Sequence, residues 1–142
     1  MHLKAPVAVH LFLIKDNKIL LSRRYNTGFQ DGNYSLVAGH IEGNETIKQA
    51  MIREALEEAN IILDNEDLKI VQVMHRKTEF EERIDFFLVV HQWQGELKNN
   101  EPSKCDDLRW YLIDQLPENM VEYVRYAFIC YLKKIFFTEF GW

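Results

Sequence analysis

Two nearly unbroken apolar runs constrain this chain most: Val7 to Ile14, and Phe86 to Val90 within a strand expected over Ile84 to Trp93. Both are rich in β-branched and aromatic residues and lack the alternation of a strand with one wet face, so each reads as a buried strand. Asp16-Asn17 is a turn, and Lys18 to Arg24 follows as a partner strand, which makes Ala5 to Arg24 a hairpin. Shorter strands are expected over Tyr34 to Ala38, ending at Gly39, and over Leu68 to Met74 and Leu108 to Ile113.

Between these runs the apolar period changes to that of a helix. Thr46 to Ala59 places Ile47, Met51 and Ala55, flanked by Ile52, Leu56 and Ala59, on one stripe. Asn44 is a candidate N-cap, and Asn60 a terminator, because Asn tolerates the left-handed conformation. Met120 to Phe137 is expected to be a second amphipathic helix, after the break at Leu116-Pro117-Glu118-Asn119. Strands interleaved with two helices predict an α/β fold, a mixed sheet between helical layers, in one domain over residues 1–142.

The bulk numbers exclude some functions. A formal net charge of −5 disfavours stable binding to nucleic acid or an anionic membrane. It also means that any phosphate substrate needs local arginines or bound cations. Cys105, expected in a loop, and Cys130, on an apolar helix face, fit no metal spacing and read as reduced thiols. No run approaches the roughly 18 apolar residues of a membrane span, and no signal-peptide core precedes Val7, so the cytoplasm is the expected compartment.

The most informative stretch runs from Gly39 to Ile61. Glu54, Glu57 and Glu58 share one helix face. Like charges at that spacing cost a few tenths of a kcal/mol per pair, so a ligand that compensates them is expected, and hard divalent cations take such oxygens. On the three glutamates alone a solvated acidic face is an equally good reading. Glu45 lies near the helix N-terminus, Arg53 can pair with it or with a neighbouring glutamate, and Gly39 and Gly43 permit a tight loop close to a ligand.

Gly39, Glu45, Arg53, Glu54, Glu57, Glu58 and Ile61 stand at the spacing of the Nudix box, and the stretch resembles it closely. Chance agreement at the six positions that demand one residue is on the order of 10⁻⁷ per starting position. Asn60 departs from the motif's final glycine, and Ala55 is small for its apolar slot. Arg23-Arg24, Glu101-Pro102, Trp110 and Leu116-Pro117 extend the resemblance to the MutT-like branch.

The resemblance implies an α/β/α sandwich and hydrolysis of a diphosphate linkage in a nucleoside diphosphate derivative. It implies Glu54, Glu57, Glu58 and the Gly39 carbonyl as ligands to magnesium, with manganese as an alternative. Arg53 and Glu45 would support them. Glu101 would add a metal ligand or a base, against an equally good reading as a solvated loop residue. Glu81, Glu82 and Asp85 are its rivals, read here as a solvated strand start. Arg23 and Arg24 are the expected phosphate contacts, one facing the site and one away, because strand neighbours alternate. Asn119 matches a base-contacting residue but reads slightly better as a helix cap, and His40 is either a phosphate contact or structural. MutT-like flanks favour a nucleoside triphosphate. Nucleotide sugars, ADP-ribose and dinucleoside polyphosphates stay open, as do a catalytically silent nucleotide sensor and a homodimer.

Overall fold

The computed structural model describes every residue from Met1 to Trp142. Strand β1 (Val7–Lys15) turns through Asp16 and Asn17, both with positive φ, into β2 (Lys18–Arg24). Two left-handed residues are what a tight hairpin turn needs to match the twist of its strands. The expected Tyr34–Ala38 strand is two pieces, β3 (Tyr34–Ser35) and β4 (Val37–His40). They belong to different neighbours: β3 pairs with β2, and β4 with the first half of β1. Because β2 meets β1 only at its far end, Ile14 to Lys15, the sheet splits where β4 and β2 part.

Helix α1 (Ile47–Ala59) follows β4. Strands β5 (Lys69–Lys77) and β6 (Glu82–Val90) form the second hairpin, β7 (Cys105–Leu112) pairs with β2, α2 spans Glu122–Leu132, and β8 (Phe137–Phe140) ends the chain. The strand order is β3-β2-β1-β6-β5-β8, with β4 and β7 branching from β1 and β2. The pairs β1–β6 and β5–β8 are parallel and the others antiparallel, so the sheet is mixed. The expected α/β/α architecture is present. Val9, Leu11 and Leu13 face α1, while Phe12 and Phe87 face α2. Phe12, Phe87 and Phe128 are fully buried, and truncating such a residue to Ala typically costs about 3–5 kcal/mol.

Four expectations need correction. The N-cap of α1 is Thr46, whose hydroxyl accepts the Gln49 N–H at 3.1 Å while Gln49 Oε1 accepts the Thr46 N–H at 2.8 Å. Asn44 lies in the loop before it with φ 66°. The buried stripe of α1 is Ala50, Met51, Ala55 and Ala59, and Leu56 is exposed, because a narrow face of small residues lets the helix lie close to the sheet. The second helix is shorter than expected. Lys133 and Lys134 interrupt its apolar face, Lys134 turns left-handed, and the aromatic residues beyond pair with β5 as β8. Cys105 is the first residue of β7 and buried, not a loop thiol, whereas Cys130 is buried on α2 as expected; both are unpaired. No helix is long and apolar enough to cross a membrane.

Candidate active site

Asn60 ends α1 at φ 60°, and its backbone N–H caps Ala55 and Leu56. The chain beyond β6 then folds back onto this helix end. The Lys98 and Asn100 N–H groups donate to the Ala59 and Glu58 carbonyls, and the Asn60 side chain donates to the Glu96 carbonyl at 2.9 Å. That docking brings Glu101 to the carboxylate face of α1.

At the other end, the small residues of α1 allow β4 to pass against it. A Cβ on residue 39 would overlap the Glu54 carboxyl group, so glycine leaves room for that carboxylate, which would otherwise have to swing aside. Arg53 fixes the local arrangement. Its Nε and Nη2 donate to the two oxygens of Glu45 at 3.1 and 2.8 Å, Nη1 donates to Glu54 at 2.7 Å, and Nη2 also reaches the His40 carbonyl at 3.1 Å. The Glu45 hydrogen bonds to Arg53 and to the Glu42 amide hold its carboxyl below the usual range.

Glu58 is the most unusual group of the set. Burial pushes its carboxyl well above the usual range, and the adjacent Glu54, with Glu101 beyond, pushes it further; only the Ala38 amide acts the other way. Its Oε2 is buried and has no hydrogen-bond partner. A buried carboxylate oxygen without a partner is costly unless a cation satisfies it. The glutamate side chains are not already drawn together about one point; Arg53 Nη1 lies between Glu54 and, at 3.5 Å, Glu57. The unpartnered Glu58 oxygen and the glycine cradle at 39 fit a divalent cation held by Glu54, Glu57, Glu58 and the Gly39 carbonyl. A cation held there would neutralise charge on a diphosphate and bring it to an attacking water. Of these groups, Arg53 already holds Glu54 at 2.7 Å and reaches Glu57 at 3.5 Å.

These groups line one side of a cavity of about 950 Å³ in the cleft between the diverging sheets, with Arg24, His40 and Glu101 also in its wall. Of the two arginines, Arg24 faces the cavity. Its guanidinium donates to the Phe29 carbonyl and the Thr27 hydroxyl and lies 5.2 Å from the Phe29 ring. Arg23 points away, paired with Asp106 at 2.7 Å. Asn119 is outside the cavity; its side chain donates to the Gly32 carbonyl at 2.9 Å. It does not cap α2 either, because Val121 precedes that helix with no side-chain cap.

The reading of Glu81, Glu82 and Asp85 as a solvated strand start is wrong for Asp85, which is 0% exposed. Asp85 accepts from His10 Nε2 at 3.0 Å and Arg76 Nε at 2.7 Å, and the Arg76 guanidinium lies 3.7 Å from the Tyr123 ring centroid. Sequence reasoning missed this network, although His10 inside the first apolar run and Asp85 beside the second were the signal. Glu82 pairs with His75, and Glu81 with Arg83.

A model of the NUDIX domain matches residues 4–132 of the chain. The chain belongs to the Nudix family. Among relatives of this Nudix hydrolase, the ADP-ribose pyrophosphatase of Methanocaldococcus jannaschii is 30% identical over 118 residues, 83% of this chain and 68% of that protein. The oxidized purine nucleoside triphosphate hydrolase of Danio rerio is 28% identical over 109 residues, 75% of this chain and 66% of that protein. In fold, the chain is similar to a MutT NUDIX hydrolase from Burkholderia pseudomallei, with a TM-score of 0.82 at 24% identity over 89% of this chain and 97% of the other.

Proposed function

We propose that this Nudix hydrolase acts as a single domain over residues 1–142, with magnesium, or manganese in its place, to cleave a nucleoside triphosphate at a diphosphate linkage. The carrying observation is the half-buried Glu54–Glu58 pair, with one buried Glu58 oxygen unpartnered beside the Gly39 cradle. Glu54, Glu57, Glu58 and the Gly39 carbonyl hold the metal. Arg53 and Glu45 keep that set in register, Glu101 assists the attacking water, and Arg24 meets a phosphate by exchanging its present neutral acceptors for charged ones. His40 borders the phosphate position. Its imidazole is held below the usual histidine range by burial and then by the Arg83 cation, so it serves as a neutral polar group. Arg23 and Asn119 have no direct part, because neither reaches the cavity.

The similarity to a protein named ADP-ribose pyrophosphatase supports a second reading, with ADP-ribose as substrate. The two unpaired thiols agree with work in a reducing compartment, and the cytoplasm is the one proposed.

The experiment is a panel of nucleoside triphosphates, ADP-ribose, nucleotide sugars and dinucleoside polyphosphates, assayed with magnesium for release of phosphate, pyrophosphate or nucleoside monophosphate. Turnover of a triphosphate that is lost in Glu58→Gln supports the first reading, and turnover of ADP-ribose alone supports the second. Binding without turnover of any compound would make the chain a sensor.

A further inference from the structure

The tip of the β5–β6 hairpin forms another part of the cavity wall, and at its apex Phe80 is 88% exposed. Apart from Met1, no large apolar side chain in the protein is as exposed. Single apolar residues on a surface are ordinary, but this one borders a cavity and its backbone is fixed. The Thr78 hydroxyl accepts the N–H groups of Phe80 and Glu81 at 3.2 and 3.1 Å, and the Thr78 N–H donates to the Glu81 carbonyl at 2.8 Å.

The tip is also tied to the glutamate side of the cavity. Glu81 accepts from Arg83 Nη1 at 2.5 Å, and Arg83 Nη2 meets His40 Nε2 at 2.5 Å, one residue after Gly39. Glu81, Arg83 and His40 make a polar strut between the hairpin and the loop that carries Gly39. The backbone that carries Phe80 is thereby held at a set offset from the proposed diphosphate position.

We infer that Phe80 is the platform on which the base of a nucleotide substrate stacks; this rests on the nucleoside diphosphate reading above. The occupant follows from the surroundings. Thr78, Glu79, Glu81 and Glu82 flank Phe80, so the tip has no contiguous apolar patch for a second copy of the chain. The cavity beside it is lined by Glu54, Glu58, Arg24, Arg76 and Arg83. A ligand that suits both has one flat apolar face and a polar, charged body, as a nucleotide does. Every base offers a π-face, so stacking on Phe80 discriminates little among bases and strongly between a nucleotide and a base-free sugar phosphate.

The test compares AMP, GMP and ribose 5-phosphate by calorimetry with magnesium, on the whole chain and on Phe80→Ala and Phe80→Trp. The wild-type chain is expected to bind AMP and GMP roughly 10- to 100-fold more tightly than ribose 5-phosphate. Phe80→Ala should close that gap while leaving ribose 5-phosphate unchanged. Phe80→Trp should restore it, with its indole emission changing on addition of AMP. A gap that survives Phe80→Ala overturns the inference, as does no measurable AMP binding, or a change of oligomeric state in Phe80→Ala with the gap intact. Diphosphate hydrolysis that persists in any of these cases leaves the proposed reaction standing without Phe80. Loss of hydrolysis across the whole panel refutes that reaction whatever Phe80 does.

Discussion

Arg53 grips Glu45 through both carboxylate oxygens, Nε to Oε2 at 3.1 Å and Nη2 to Oε1 at 2.8 Å, and so keeps Nη1 free to hold Glu54. Lysine has the charge but not the fork. Arg53→Lys is expected to lower kcat about 10- to 100-fold, the range typical of groups that orient metal ligands, with a smaller change in KM. Steady-state kinetics at saturating magnesium decides this. A raised KM at unchanged kcat would mean that Arg53 binds substrate uniformly instead.

Glu58→Gln removes the charge that burial and Glu54 make costly. Turnover should fall by at least about 100-fold, while the melting temperature stays level or rises, because like-charge repulsion on α1 is relieved. Glu57→Gln should show the same pattern more weakly on stability, since Glu57 is half exposed. Calorimetric scans with and without magnesium read both effects: the wild-type chain gains stability from the ion, and Glu58→Gln gains little. An equal magnesium-induced shift in both chains would remove Glu58 from the ligand set.

Glu101 lines the cavity and lies close enough to Glu58 to raise that carboxyl. As a base for the attacking water it would contribute roughly 10²- to 10⁴-fold, so Glu101→Gln should lower kcat by that factor at saturating metal. Glu82→Gln is the control, because Glu82 pairs with His75 outside the cavity. Glu81 is a poor control, because it anchors the strut to His40. Sensitivity at Glu82 with none at Glu101 would place the base on the opposite hairpin.

Asp85 supplies a pH-dependent share of stability. Burial alone would raise its carboxyl, but the hydrogen bonds and charges of His10 and Arg76 outweigh burial and hold it below the usual range. A group depressed in the folded state stabilises above its unfolded value, about 3.9, and loses that contribution as the pH falls through the folded value. Asp85→Asn leaves Arg76 buried without its partner and should cost about 3–5 kcal/mol at neutral pH. The gap to the wild-type chain should narrow below about pH 4, as read by urea unfolding. A gap of constant size down to pH 3 would contradict the ion-pair account.

The carboxylate helix was legible in the sequence because its signal is local: Gly39, Glu45, Arg53, Glu54, Glu57 and Glu58 lie within one loop and one helix at fixed spacing. The buried strands β1 and β6 were legible for the same reason. What escaped depends on contacts between distant residues. His10 and Asp85 meet only because β1 and β6 pair in parallel, with Ala8 opposite Asp85. Strand β8 was hidden because Phe136 and Phe137 continue an apolar period that reads as helix until β5 offers an edge. Arg23 and Arg24 were separable in kind but not in identity, since which one faces the cavity depends on how β2 lies against β7.

Asn60, where the Nudix box has glycine, does more than tolerate a left-handed turn. Its side chain holds the Glu96 carbonyl, at the start of the segment that docks Asn100 against Glu58 and leads to Glu101. Restoring glycine would relax the local backbone and at the same time cut a tether to that segment. For anyone transplanting this helix into another scaffold, the portable unit is therefore not the box alone but the box together with residues 96–101, and a graft without them would import the proposed cation site while losing its proposed partner at Glu101.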